Sequence, residues 1–233
     1  MRTLVIIPAR GGSKGIPMKN VKHLAGKPLI YYSIDSARQI ADDADICVST
    51  DSNEIVAIVE DYGLEVPFKR PEELSMDNTG TYEVLLHAVS FFESRGQHYD
   101  TVMLLQPTSP FRQKQHLLDV EKMYSQELEM VVSVGISHQN PYFNLFEENN
   151  MGFLEKSKKS YFQSRQEAPQ VYFYNGSLYL INVKALKAKP LHKFKRIKKY
   201  IMNDLHSVDI DSPLDWAVCE TIIKEGYMKN ENN

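Results

Sequence analysis

Apolar positions along the chain follow two alternating patterns. Short, nearly uninterrupted apolar runs stand at "TLVII" (3–7), "DICVST" (45–50), "TVMLLQ" (101–106) and "MVVSV" (130–134). Rich in Val and Ile, they read as strands buried on both faces, as a sheet covered on both sides requires. Between them lie segments of helical period. "KPLIYYSIDSARQIA" offers Pro28 as a first-turn proline, and "TYEVLLHAVSFFESRG" sets Leu85, Leu86, Val89 and Phe92 on one face. "DSNEIVAIVEDYG" opens on Asp51, carries Glu54 three residues on and stops at Gly63, a capping-box pattern that predicts Asp51 as a helix cap. The rhythm predicts right-handed crossovers and an α/β fold, with a mainly parallel sheet flanked by helices.

The rhythm stops after Gly135. The stretch "ISHQNPYFNLFEENNMGFLEKSKKSYFQSRQEAPQ" has no clear period. "VYFYNGSLYLIN" (171–182) then shows two β-like halves around Asn175-Gly176. That pair reads equally as a hairpin turn or as a place where a ligand approaches the backbone. The pattern resumes at "KKYIMND" and "SVDI", and a last helix begins at Ser212, with Ser212 as N-cap, Pro213 in the first turn and an acid at Asp215. No repeat or linker divides the chain, so residues 1–233 read as one domain carrying an inserted segment at about 136–195.

Composition narrows the function classes. A chain of 233 residues with 42% hydrophobic and 24% charged residues buries a core without metal or disulfide staples. A net charge of −3 gives no global basic field for nucleic acid. No apolar run is long enough to span a membrane, and the opening residues do not form a signal peptide. Cys47 and Cys219 sit far apart in apolar segments, which predicts inert core thiols and a reducing cytoplasmic setting.

The chemistry starts at "IPARGGSKGIPMKN", directly after the first predicted strand. A loop leaving the C-terminal end of such a strand faces the ligand crevice of a parallel sheet. Gly11, Gly12 and Gly15 are expected to supply positive-φ backbone that turns N–H groups toward an anion, and Arg10, Lys14 and Lys19 add cations. The guest implied is a phosphate chain. Neither GxxxxGK[ST] nor GxGxxG is present, so this is neither a P-loop nor a dinucleotide fingerprint. "STDS" (49–52), "LQPTSPFR" (104–112) and "DIDS" (209–212) fall at the same crevice. In an extended "DID", Asp209 and Asp211 share one face. Two carboxylates beside a phosphate site suit Mg²⁺, the alternative being that Asp211 only caps the last helix.

In order along the chain, "IPARGGSKGIPMKN", "STD", "RPEELSMDNT", "LQPTSPFR", "SRQEAPQVYFYNGSLYLI" and "DIDSPLDW" resemble the cytidylyltransferases that activate sialic acids, the CMP-N-acylneuraminate synthetases. The resemblance runs from residue 4 to about 216. It implies a Rossmann-like nucleotidyltransferase fold whose inserted segment exchanges contacts with a second subunit, hence a homodimer. It also implies that Arg10, Lys14 and Lys19 hold the triphosphate and that Asn20 contacts the nucleotide. Arg70 and Thr81 resemble the cytidine contacts, and Gln106 resembles the residue between base and sugar. Arg165 matches the arginine associated with the acidic sugar, Asn175 and Tyr179 match the sugar side, and Asp209 and Asp211 match the metal-binding pair. The stretch 190–196 departs from the aromatic pattern many members carry there. It reads "PLHKFKR", within a segment holding eight Lys and Arg between 184 and 199. Leu191 and Phe194 are candidates for a contribution across the dimer, and a basic solvated surface is the alternative.

The activity so implied is attack of the sugar's anomeric hydroxyl on the α-phosphorus of CTP, with loss of pyrophosphate. Partners are CTP and a nine-carbon acidic sugar, with Mg²⁺ as cofactor and no nucleic acid or membrane. Asp211 and the three basic residues are the expected catalytic groups. A CMP-Kdo-like or other sugar nucleotidyltransferase, an oxidoreductase on the same sheet, and a non-catalytic nucleotide-binding homologue are the rivals. The missing GxGxxG disfavours the oxidoreductase, and the intact aspartate pair disfavours the non-catalytic homologue.

Overall fold

Alternate side chains of each strand pack on opposite faces of one sheet. In the computed structural model, which describes residues 1–13, 15–76 and 79–228, strand β1 (Thr3–Pro8) sends Val5 and Ile7 to one apolar layer and Leu4 and Ile6 to the other. Strands β4 (Ile46–Ser49) and β5 (Thr101–Leu105) divide in the same way. Each such aliphatic side chain, fully buried, contributes about 1.5–3 kcal/mol. Helices α1 (Leu29–Arg38), α2 (Asn53–Asp61) and α4 (Lys114–Met123) cover the first face; α3 (Thr81–Ser94) and α5 (Val183–Ala188) cover the second. A third cluster joins the last helix, α6 (Pro213–Lys224), to Ile16, Leu24, Leu29 and Ile210. It includes a two-stranded bridge of β2 (His23–Leu24) and β3 (Lys27–Pro28). The opening loop is thereby packed onto the segment before α6.

The six-stranded sheet has the order β10-β6-β9-β5-β1-β4. Strands β4, β1 and β5 run parallel, as do β6 (Met130–Ile136) and β10 (Ile197–Ile201). Between these groups β9 (Tyr172–Asn182) runs antiparallel to both neighbours. Mainly parallel strands with helices on both faces agree with the sequence expectation. The hairpin does not. Asn175-Gly176 lies inside one continuous eleven-residue strand, where Gly176 takes φ +74° and the register against β6 shifts. An Asn-Gly pair permits a turn, but two long flanking strands to pair with outweigh it here.

The expected insertion at 136–195 is accordingly not one unit. Residues 137–171 lie outside the main sheet and form a small ribbon of β7 (Phe146–Glu148) and β8 (Leu154–Lys156). Residues 172–188 return as the central strand and α5. The basic stretch finds a structural use, since Lys187 pairs with Glu93 and Lys189 with Glu129. Exposed Lys198 and Lys199 guard the open edge of β10 against pairing with another chain.

Local caps also correct the sequence reading. Ser52, not Asp51, caps α2 through Ile55 N–H, and Pro28 is the N-cap of α1 rather than its first-turn residue. Ser212, Pro213 and Asp215 start α6 with a complete capping box, as expected. "SVDI" is extended chain without a strand partner. Cys47 and Cys219 are both free and buried, and burial pushes the Cys219 thiol up to about 12, so neither is an effective nucleophile. No helix among the described residues is long and apolar enough to cross a membrane.

Candidate active site

The C-terminal ends of β1, β4 and β5 meet the opening loop, as a parallel sheet demands. The glycines work differently from the expectation. None of Gly11, Gly12 and Gly15 has positive φ. Gly15 is required for space: a Cβ there would stand 2.0 Å from the carbonyl oxygen of Asp211. Gly11 packs on Ser52, and its N–H donates to Asp51 Oδ1 at 3.0 Å. Asp51 is therefore a tether for the loop, which its position after β4 allowed but its helix-cap pattern concealed.

Lys19, almost fully buried, ties the loop to the other end of the chain. Its ammonium donates to the Ile210 carbonyl and stands 3.2 Å from Asp211 Oδ1. Asn20 Nδ2 donates to the Arg10 carbonyl at 3.0 Å, folding the loop back on itself. Lys14 lies outside the described residues.

Three adjoining cavities open here. The first, about 260 Å³, is lined by Pro8, Arg10, Arg70, Thr79, Gly80 and Thr81, among others. Arg70 is buried, with Nε donating to Ser49 Oγ at 3.1 Å and a second bond from its guanidinium to the Ser49 carbonyl. Burial lowers its pKa, and the Asp51 charge partly restores it. The second cavity, about 330 Å³, is lined by Pro8, Arg10, Ser13, Gly15, Lys19, Asn20, Gln106, Thr108 and Asp211. The third, about 410 Å³, holds Thr81, Gln106 and Tyr179 together with apolar side chains. Pro8 and Arg10 belong to the first two, Gln106 to the last two, and Thr81 to the first and third. Two more cavities, of about 400 and 430 Å³, lie around Met1 at the opposite end of the strands and contain none of the residues predicted for the site.

The remaining predicted residues separate. Asn175 is buried, and its amide is occupied within the fold. Oδ1 accepts from Ser133 Oγ (2.6 Å) and Ser177 N–H (3.2 Å), while Nδ2 donates to Ser207 Oγ (3.0 Å). Tyr179 stands in the third cavity, and burial pushes its phenol up to about 12, so it stays a neutral hydrogen-bonding group. Arg165 lies on the exposed outer segment, bonded to the His138 carbonyl and away from all three cavities. Leu191 and Phe194 line the third cavity of their own subunit.

The aspartates differ although they flank a single residue. Ile210 between them is fully buried, and its N–H donates to the Thr108 carbonyl. Asp211 is exposed and paired with Lys19, and it does not cap α6. Asp209 is half-buried, and its Oδ1 is buried without a hydrogen-bond partner. Burial raises its pKa, and neighbouring Asp211 raises it further; the Thr108 hydroxyl and Lys19 oppose this. A desolvated carboxylate oxygen facing a second carboxylate calls for a cation, so the donor set fits Mg²⁺, which takes one or two carboxylates beside phosphate oxygens. Among the described residues no larger cluster of His, Cys, Asp and Glu offers a rival metal site.

Arg112 is a buried cation that the sequence marked without assigning. Its Nη1 donates to the carbonyls of Gln106 and Ser177, both at 2.9 Å, and Nη2 bonds to Ser33 Oγ. Burial lowers its pKa to about 9, with the Asp209 charge opposing. It locks β9, α1 and the Gln106 loop into one frame.

Strand ends that carry a cation-lined trough with carboxylates nearby make a site suited to a phosphorylated ligand. The sequence pattern of the cytidylyltransferase family matches residues 4–208, and the chain belongs to that family. It is 34% identical over 231 residues to the CMP-N,N'-diacetyllegionaminic acid synthase of Legionella pneumophila, covering 96% of this chain and 97% of that one. It is 35% identical to an N-acylneuraminate cytidylyltransferase of Escherichia coli, covering 95% of this chain and 52% of that one. A CMP:2-keto-3-deoxy-manno-octonic acid synthetase solved with CTP superposes with a TM-score of 0.71 at 16% identity, over 97% of this chain and all of that one, and shows the shared fold.

Proposed function

We propose that the protein joins CMP from CTP to the anomeric hydroxyl of an N-acylated nonulosonic acid of the sialic type, releasing pyrophosphate, with Mg²⁺ as cofactor. The observation that carries this reading is the sharing of walls among the three cavities. The pocket of Arg70 and Thr81 suits a base and ribose, and that of Arg10, Lys19 and Asn20 suits a phosphate chain. The pocket of Gln106 and Tyr179 suits a neutral part of a sugar. The walls shared in pairs, at Arg10, Thr81 and Gln106, would hold base, phosphate chain and sugar side by side in this reading. The family membership and the activities named for the relatives support the same reading.

In the reaction the anomeric oxygen forms a bond to the α-phosphorus as its hydroxyl proton passes to solvent in the open trough. The bond from that phosphorus to the bridging oxygen breaks, and its electron pair leaves with pyrophosphate. Arg10 and Lys19 face the charge that builds on the departing group, and removing one such positioned donor costs about 10²–10³ in rate. Gly15 and Asn20 hold the loop carrying these cations, while Arg112 holds the Gln106 carbonyl between nucleotide and sugar. When bound, Mg²⁺ supplies neutralisation of the phosphate oxygens, and Asp209 and Asp211 would hold it.

The reading includes a homodimer formed through the outer segment and the adjoining start of β9. Phe153 is 65% exposed and Leu154 70%, and Phe146, Tyr161, Phe173 and Tyr174 are exposed as well. A monomer seldom leaves so much apolar surface to water. Light scattering at micromolar concentration is expected to give twice the chain mass. For the activity, pyrophosphate is expected from CTP plus an N-acylated nonulosonic acid, and far less from UTP. Equal turnover with UTP overturns the cytidine assignment, and no release with any such acid leaves only a binding homologue.

A further inference from the structure

Arg112 is a buried cation whose own bonds do not neutralise it. A guanidinium taken out of water is ordinarily compensated by a carboxylate, since desolvation otherwise outweighs what its hydrogen bonds return. Those bonds go to neutral groups here: Nη1 to the carbonyls of Gln106 and Ser177, and Nη2 to Ser33 Oγ. Nε is buried without a hydrogen-bond partner. The charge that reaches this guanidinium is that of Asp209. Asp209 shows the complementary pattern, with Oδ1 buried and unpartnered, and so is Oγ1 of the neighbouring Thr108.

Three stretches of chain bring these groups together. Arg112 Nη1 lies 2.9 Å from the Ser177 carbonyl, and the adjacent Gly176 takes φ +74°. Gly176 faces Asp209, because a Cβ there would stand 3.4 Å from Asp209 Oδ2. The Ile210 N–H donates to the Thr108 carbonyl at 2.9 Å, which lays the segment before α6 along the turn that ends at Arg112. Asn175, bonded to Ser133 and Ser177, fixes the irregular part of β9 between them. Lys19 and Asp211 also act on the Asp209 carboxylate, but they are paired with each other at 3.2 Å. Arg112 is left as the fixed cation for Asp209.

Resting on the activity proposed above, we infer that Arg112 is a positioning residue: its guanidinium is the built-in counter-ion of Asp209 and, through the Gln106 carbonyl, keeps metal ligand and substrate wall in one frame. The two charges offset each other inside the fold, so the carboxylate is in place before a cation binds. Arg112 itself touches neither substrate nor metal and acts through Asp209 and the Gln106 turn. Groups that orient a metal ligand from behind are worth about 10–100-fold in metal affinity or activity. A purely structural role would involve only the bonds to carbonyls and would be blind to the charge at position 209.

The test is a double-mutant cycle read by melting temperature at neutral pH without metal. Asp209→Asn removes the carboxylate charge, and Arg112→Met removes the guanidinium. Without its counter-ion the buried carboxylate is uncompensated, so Asp209→Asn is expected to gain at least about 2 °C more in the Arg112→Met background than in wild type. Arg112→Gln, neutral but still able to donate to the carbonyls, is expected to show the same enlargement and replaces Arg112→Met if that variant does not fold. Equal gains in the charged and neutral backgrounds overturn the pairing. In a second arm, pyrophosphate release at saturating CTP is titrated with Mg²⁺. Arg112→Gln is expected to raise the half-saturating Mg²⁺ about 10–100-fold, and Arg112→Lys, which keeps the charge without the fork, by less. A fall in kcat with an unchanged Mg²⁺ requirement makes Arg112 structural only and overturns the inference. No pyrophosphate from wild type with any nonulosonic acid overturns the activity instead, and the melting cycle still decides the pairing.

Discussion

The half of the sheet formed by β4, β1 and β5 and the half formed by β9, β6 and β10 treat ligands by different physics. On the first, side chains at the strand ends are cross-tied: Asp51 to Gly11, Arg70 to Ser49, Lys19 to Ile210 and Asp211, Asn20 to Arg10. Charges there are held in place before any ligand arrives, which is how a site recognises an anion without reorganising. On the second, an antiparallel strand carries aromatic side chains into an apolar cavity and onto open surface. Recognition there depends on shape and on excluding water. One sheet thus combines a cross-tied electrostatic end with a surface that is largely aromatic and apolar.

The largest expected effect tests the electrostatic end. Asp211→Asn should lower kcat about 10²–10³-fold across a magnesium titration. The melting temperature should hold, because Ser212 rather than Asp211 caps α6. Pyrophosphate release within twofold of wild type would make the carboxylate structural. Next, Gly15→Ala forces a Cβ against the Asp211 carbonyl and should displace the cationic loop, at a cost of about 10²-fold in turnover. Gly12→Ala meets nothing within 4 Å and should be silent, within about 0.5 kcal/mol of stability. Equal behaviour of the two variants would show that the loop is not seated as described.

Smaller effects separate stability from chemistry. Ser212→Ala should destabilise by about 1 kcal/mol in urea, through loss of the cap. Phe153→Ser, on the outer segment, should change chain stability by about 0.5 kcal/mol or less while shifting light scattering toward the monomer. Asp209→Asn should raise the melting temperature of the metal-free protein at neutral pH. Burial raises the Asp209 pKa above its unfolded value, so its charged form disfavours folding once pH exceeds the ordinary carboxylate range. Below that range both states hold the proton, and the gain should vanish. A melting difference that does not depend on pH would contradict this electrostatic account.

Much of this was legible in the chain, for local reasons. Period and apolar run length marked β1, β4, β5, β6 and helices α1, α2 and α3, whereas α4 and α5 carried no such signal. Ser212-Pro213-Asp215 announced α6, because a cap involves only neighbours in sequence. The alternation of "DID" announced two carboxylates turned the same way, and motif order announced which residues meet in the trough. Tertiary structure alone decided the rest. Whether Asn175-Gly176 turns or continues depended on the presence of β5 and β6 to pair with. Whether Asp51 caps or tethers depended on where Gly11 came to lie, forty residues away. Gly15 is required by the Asp211 carbonyl rather than by its own φ, a contact that no local pattern can encode. Asp209 and Asp211, two positions apart, acquire opposite environments because burial and the Lys19 charge arrive from distant parts of the chain. Local propensity acts over a few residues, whereas desolvation and close approach are set by whichever segments the fold brings alongside.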